Sequence, residues 1–430
     1  MNAIEARRRG SVRYRGPATA VAVAALVALL AACSSTTGGG SGPSDDAPAA
    51  SEKMVTAADV PAAQLDAAIK RATLDSVPAS DLDPVVADAL AVASEPLTPE
   101  QTALLKKCLS QRSCETGRGT LTIGINADFT NNPWWNIRRA EAVAQAIAYP
   151  QVKKIIFTSA TSGEISEVLA NLRSLIAQKV DVIVEDPVFG AAILPAAKQA
   201  KAAGIAFVTA NSPLPAEAES SVAVQFPYDL CSMGTAAAAK IAAGVTTGEK
   251  TYALYTGVPG NAIASVWWPC VEKAMTGAGW KKVATGYTQW TAQGEAQAAN
   301  GLLASGKNPS AILYDSSLDD FLSPYIKAGK PLPAAFTDTA WFSAYPIHDS
   351  AVAKGLKPVS YVSNGHVWYV RLAVSAGVMA KSGKTVSNKI MAPVPVVAFT
   401  DVPKIDGMPA NVPIPTLLSP ELVKLALAAQ

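Results

Sequence analysis

The chain has 430 residues, 50% of them hydrophobic and 16% charged, with a formal net charge of +2. One core stops growing near about 250–300 residues, so at least two domains are expected. The composition excludes a chain disordered throughout. So small a net charge excludes nucleic-acid binding through bulk charge. The two histidines, His348 and His366, lie far apart, which argues against a zinc site built on several of them.

Residues 1–17 carry Arg7, Arg8, Arg9, Arg13 and Arg15, and an apolar run covers 18–32. The run is shorter than the ~20 residues a membrane-spanning helix needs. A basic segment, a short apolar core and small residues at its end read as a secretion signal. The run closes on Leu30, Ala31, Ala32 and Cys33. This resembles the lipobox of bacterial lipoproteins. The resemblance implies cleavage before Cys33 and a lipid, palmitate included, attached to it. The plain alternative is an ordinary signal peptide with a chance cysteine. The stretch SSTTGGGSGPSDD (34–46) favours the anchor, because it is a flexible polar tether. The expected divisions are a signal over 1–32, a tether over 33–58 and a helical extension over 59–118.

Export permits disulfides. Cys108, Cys114, Cys231 and Cys270 allow three pairings. The local one, Cys108 with Cys114 and Cys231 with Cys270, is favoured, because the first pair lies six residues apart at a predicted helix end and the second on two helices that could pack together. Buried free thiols are the alternative for Cys231 and Cys270. Metal or redox chemistry is the weaker reading, since no CxxC spacing occurs.

The extension is rich in Ala and Leu. Thr98, Pro99 and Gln101 form a capping box with proline at the first helical position, predicting a helix to about Cys108. From Leu121 the texture changes. LTIGINA (121–127), KIIFTSA (154–160), DVIVEDP (181–187), IAFVTAN (205–211) and SSVAVQFP (220–227) read as strands buried on both faces. Helical spacing lies between them, clearest at Ile165, Val168, Leu169, Leu172 and Ile176. A helix from Asp229 then restarts the alternation. TYALYTG (251–257), VATGYTQ (283–289), AILYDSS (311–317), AAFTDTA (334–340) and PVSYVSN (358–364) are its strands. So many strands fit two doubly wound α/β domains better than one sheet.

In such sheets ligands bind beyond the strands' carboxyl ends. Those loops hold Trp134, Trp135, Trp290 and Trp341, while Trp267 and Trp268 lie on the helix after 251–257. Asp128, Asn132, Asn211, Asp315, Ser316, Asp338, Ser363 and Asn364 accompany them. Rings that stack on C–H faces, beside acids and amides that hold hydroxyls, suit a sugar-like ligand. For each single Asp or Asn the competing reading is a turn or cap, strongest for Asp315 and Asn364. No GxSxG, Walker, GxGxxG or HExxH pattern occurs. Asp319 and Asp320 read as the acidic first turn of a helix, and His366 has no evident Ser or Cys partner.

IGINADFTNNPWWNIRRAEAVAQA, ISEVLANLRSLIAQKVDVIVEDP, YDLCSMGTAAA with its Asp-x4-Gly opening, ILYDSSLDD and AAFTDTAWF together resemble the type I periplasmic, ribose-binding-like proteins, over about 119–400. The resemblance implies two Rossmann-like lobes joined by a three-segment hinge. Lobe one would be 119–226 plus 365–388, and lobe two 227–364 plus 389–430. It implies ligand contacts from Asp128, Asn132, Trp134, Trp135, Asn211, Trp267, Trp290, Ser316, Asp338 and Ser363. Asn211 stands where sugar binders usually have Asp, Ser212 where many have Arg, and Trp267 near a further family Arg. A less hydroxylated or amine-bearing ligand is therefore the alternative to a pentose-like one, with Asp128 and Asp338 as counter-charges.

The function implied is a monomeric, lipid-anchored, extracytoplasmic solute-binding protein, on the outer face of the bacterial cell membrane. It would deliver a small ligand to an ABC permease, with no cofactor, no metal and no nucleic acid. A sensor presenting its ligand to a membrane receptor is the second reading, and an exported α/β enzyme the third. A repressor with the same lobes is excluded by the signal and by the lack of a DNA-binding head.

Overall fold

The computed structural model describes residues 53–130, 132–161 and 163–429. The signal, Cys33 and most of the tether lie outside the described residues. Helices α1 (Ala62–Thr73), α2 (Pro84–Ser94) and α3 (Pro99–Leu109) open the described chain. Asp83 caps α2 by accepting from the Val85 amide, and Thr98 and Gln101 cap α3 reciprocally. A strand missing from the sequence reading follows, β1 (Ser113–Glu115). The Cys108–Cys114 disulfide ties it to α3. β1 pairs antiparallel with the edge of the next sheet, which joins the extension to the body through hydrogen bonds.

Lobe one is built from β2 (Leu121–Ala127), α4 (Pro133–Ala148), β3 (Val152–Ser159), α5 (Ile165–Ala177), β4 (Val182–Glu185), α6 (Leu194–Ala202), β5 (Ala206–Asn211) and β6 (Val224–Pro227). Its sheet order is β1-β3-β2-β4-β5-β6, and all pairs except that of β1 are parallel. β4, β5 and β6 are buried along their whole length, which is why their sequences run apolar without alternation. The apolar stripe of α5 buries Val168, Leu172, Leu175 and Ile176.

Lobe two repeats the plan with α7 (Leu230–Gly244), β7 (Thr251–Thr256), α8 (Ala262–Gly277), β8 (Lys281–Tyr287), α9 (Ala292–Ala304), β9 (Ala311–Tyr314), α10 (Asp319–Lys327), β10 (Ala334–Thr337), β11 (Ala340–Trp341), α11 (Ala344–Ala353) and β12 (Ser360–Val362). The chain then returns to lobe one as α12 (Tyr369–Lys381), packed on β4, β5 and α4. β13 (Val397–Ala398) completes the second sheet, ordered β13-β12-β10-β9-β7-β8. Cys231–Cys270 joins α7 to α8, so both disulfides are the local ones.

The lobes are connected at 227–229, 363–366 and 388–392. Gln225 bridges Lys389, Tyr228 bridges Ala392, and the Asn364 amide nitrogen donates to Pro393 O at 2.8 Å. The C-terminus departs from the expected boundary. β14 (Pro413–Ile414) pairs with β11 of lobe two, but α13 (Pro420–Ala428) packs on α3 and α4 of lobe one. The segment is drawn back by buried charge. Glu141 on α4 accepts from the Thr416 hydroxyl at 2.6 Å and the Leu417 amide at 2.7 Å. Arg371 on α12 pairs with the other oxygen of Glu141, and Arg71 on α1 donates to Thr416 O and Leu418 O.

Candidate ligand-binding site

Between the carboxyl ends of the two sheets lies a cavity with about 70 Å³ open to the centre of a water molecule. One water takes about 10–15 Å³ on that measure, so the space suits a solute of about one ring. Lobe one contributes Asn132, Trp134 and Trp135 at the start of α4, Asp186 and Val188 after β4, and Asn211 at the end of β5. Lobe two contributes Ile263, Trp290, Asp315, Ser316, Asp338 and Thr339. Tyr228, Gly365 and His366 come from the connecting segments.

The lobes touch around this cavity. The Ala262 amide donates to Val188 O at 3.1 Å, and the Asn132 side chain donates to Trp290 O at 3.2 Å. Phe129 meets the edge of Trp290 with ring centroids 5.8 Å apart. The Trp134 indole N–H donates to Gly365 O at 3.2 Å.

Backbone strain concentrates here. Asn211, Trp290 and His366 line the cavity with φ of 76°, 49° and 52°, in the left-handed region. Such a conformation costs about 1–3 kcal/mol per residue and persists only where the surroundings impose it. For Trp290 the surroundings are Asp315 and Gly257. The indole N–H donates to Asp315 Oδ1 at 2.9 Å, and a Cβ on Gly257 would overlap the ring.

Three carboxylates line the cavity in three different states. Asp186 is saturated by lobe one: Asn211 Nδ2 donates at 2.9 Å, the Ser212 hydroxyl at 2.7 Å and the Ser212 amide at 3.2 Å. Arg138, itself buried, lies 3.9 Å behind Asp186. Asp315 accepts from Thr256 Oγ1 at 2.5 Å, Trp267 Nε1 at 3.2 Å and Trp290 Nε1 at 2.9 Å. Burial pushes its carboxyl up to about 6, against those hydrogen bonds. Asp338 is poorly served. The Tyr228 hydroxyl reaches Oδ2 only at 3.5 Å, and no donor among the described residues meets Oδ1. Burial, then the charge of Asp315, raises the Asp338 carboxyl well above the usual range. His366 lies 3.9 Å from Asp338 and stacks on Tyr228 at 3.6 Å. Burial lowers its imidazole to about 3, so it stands neutral at ordinary pH.

The structure brings Asn132, Trp134, Trp135, Asn211, Trp290, Ser316 and Asp338 together around one space. It keeps Asp128, Trp267 and Ser363 off the wall. Trp267 is fully buried, and its indole holds Asp315 rather than a ligand. Asp128 is sealed inside lobe one beside Asn126 and Glu185, its carboxyl raised by burial and then by Glu185. Ser363 is buried, with its amide bonded to Thr337 O. The sequence reading omits Asp186, Tyr228, Thr339, Gly365 and His366 from the site, and leaves Asp315 between a ligand role and a turn or cap. Asp186 ends a strand just as Asp315 does, so strand-end position was a usable signal for both. Nothing local marks Tyr228 or His366, whose place follows from the lobe connections.

A cavity closed between two doubly wound lobes, built from rings and hydrogen-bonding groups of both, defines a two-lobe solute-binding fold. Residues 123–328 match the family model described as a periplasmic binding protein domain. The chain has the two-lobe fold of the type I periplasmic binding proteins. Among solved structures it is similar to an ABC transporter solute binding protein from Mycobacterium smegmatis with bound glycerol (TM-score 0.59, 19% identity, covering 68% of this chain and 99% of that one). It is similar to a glucose-galactose binding protein from Geobacillus stearothermophilus (TM-score 0.57, 20% identity, 67% and 100% covered). It is also similar to a periplasmic solute binding protein from Actinobacillus succinogenes with bound D-allose (TM-score 0.55, 18% identity, 66% and 99% covered). Among curated proteins, no sequence matches.

Proposed function

We propose that this chain is the extracytoplasmic solute-binding protein of an ABC importer, taking a small, ring-sized, sugar-like solute between its lobes. The observation that carries this reading is the inter-lobe cavity, walled by Trp134, Trp135 and Trp290 with Asn132, Asn211, Ser316 and Asp338 between them. Indole faces cover the C–H faces of a sugar ring, and the amides and carboxylate take its hydroxyls. A solute touching both lobes binds the closed form better than the open one and shifts the population toward it. The permease would recognise that closed form. The lobes would pivot about the three connecting segments, and Cys33 would carry the lipid that holds the protein at the outer face of the membrane.

The test is thermal unfolding together with tryptophan fluorescence, against neutral sugars and polyols and their amino derivatives. At 100 times its dissociation constant, a true ligand adds about 2.7 kcal/mol of stability. It also perturbs emission from Trp134, Trp135 or Trp290. The reading fails if no member of either set produces a shift.

A further inference from the structure

Charge inside the cavity is one-sided. Asp186, Asp315 and Asp338 line it, and among the described residues no lysine or arginine does. Arg138, 3.9 Å from Asp186, is buried behind it and is not part of the wall. One amide at each of two helix starts beside the cavity is capped by an asparagine. Asn132 Oδ1 accepts from the Trp134 amide at 3.0 Å, and Asn261 Oδ1 accepts from the Ala264 amide at 2.8 Å.

Two of the three carboxylates serve the scaffold. Asp186 fixes Asn211 and Ser212, and Asp315 fixes two indoles. Of the three, only Asp338 has an oxygen, the buried Oδ1, with no donor among the described residues. The groups packed around it are Tyr228, Thr339, His366 and Asp315, and none brings a positive charge. A buried acid in such a setting either keeps its proton or ionises beside a cation. The natural place for its partner is the ligand, and the surrounding rings favour a cation as well.

We infer that the solute carries a cationic nitrogen that pairs with Asp338, as in an amino or imino sugar or an aminated polyol. This rests on the reading of the cavity as a solute site and narrows its chemistry. Burial, then the charge of Asp315, raises the Asp338 carboxyl, which favours its proton before binding. Pairing with an ammonium group drives that proton into the buffer, whereas a neutral polyol leaves it in place.

Isothermal titration compares matched solutes: D-glucose with D-glucosamine, D-galactose with D-galactosamine, and the imino sugar 1-deoxynojirimycin. Each is run at pH 7 in two buffers of different ionisation enthalpy. The expected result is that at least one amine binds about 30-fold or more tighter than its neutral partner, with a proton release that the neutral partner lacks. Asp338→Asn should then lose about 30-fold or more for the amine, lose clearly less for the neutral partner, and unfold at or above the wild-type temperature. If neutral sugars bind as well as amines, or Asp338→Asn holds the amine unchanged, the inference is overturned while the solute-binding reading stands. If neither set binds, both are overturned.

Discussion

Trp290 shows how a single residue is prepared for a ligand. Its backbone is left-handed, its N–H is spent on Asp315, and its ring lies over Gly257. A glycine is required at 257 because any Cβ would take the space of the indole. Gly257→Ala is therefore expected to expel the ring from its seat without unfolding lobe two, at about 1–3 kcal/mol of overpacking. Ligand titration should show a loss of tenfold or more while far-ultraviolet circular dichroism stays unchanged. Unaltered affinity would mean that Trp290 does not shape the site. At this scale the sequence was partly legible. Trp134, Trp135 and Trp290 stood out because large rings just beyond strand ends need a reason. Trp267, expected in the site from the resemblance, points elsewhere, because helix α8 turns it inward onto Asp315. Asp315 looked like a turn residue, since a strand-end Asp reads the same whether it caps a turn or holds two indoles.

Elements were more legible than residues, because buried parallel strands write continuous apolar runs and their helices write one-face stripes. The expected strands over 311–317 and 334–340 end earlier, at Tyr314 and Thr337, where the chain leaves the sheet to form the cavity loops. What the sequence could not show was pairing over long separations. β1 is three residues with little pattern, and β14 is two. The C-terminal segment returns to lobe one because of Glu141 and Arg371, which lie 230 residues apart. Both are buried, and they join Thr416, Leu417 and Gln145 in one network. Arg371→Met leaves Glu141 buried without its cation and should cost about 3–5 kcal/mol. Urea unfolding measures this. Arg371→Met combined with Glu141→Leu should lose less than Arg371→Met alone, since no uncompensated charge remains. A single variant as stable as wild type would show that the pair does not hold the segment.

For the whole molecule the consequence is an inverted response to acid. Burial raises Asp315 to about 6, and Glu185 and Asp319 to about 7. Asp128, Glu295 and Asp338 are raised well above the usual range, by burial first. Each of these groups binds its proton more tightly folded than unfolded. Its contribution to stability is therefore complete below its unfolded value near 4, and is lost as pH rises through its folded value. His366 acts in the opposite sense. With its imidazole lowered to about 3 from 6.5, its contribution is complete above 6.5 and is lost as pH falls. Between pH 8 and 6.5 only the carboxyls act, and between 6 and 5 three or more of them oppose one histidine. Each net proton changes stability by about 1.4 kcal/mol per pH unit. The melting temperature is therefore expected to rise from pH 8 to pH 5.5, and the rise should shrink in Asp319→Asn, which removes one of the titrating groups. A series of thermal melts across that range decides it. A flat or falling curve would mean that these carboxyls are charged in the folded protein, and that the acidic interior is compensated by groups other than its own protons.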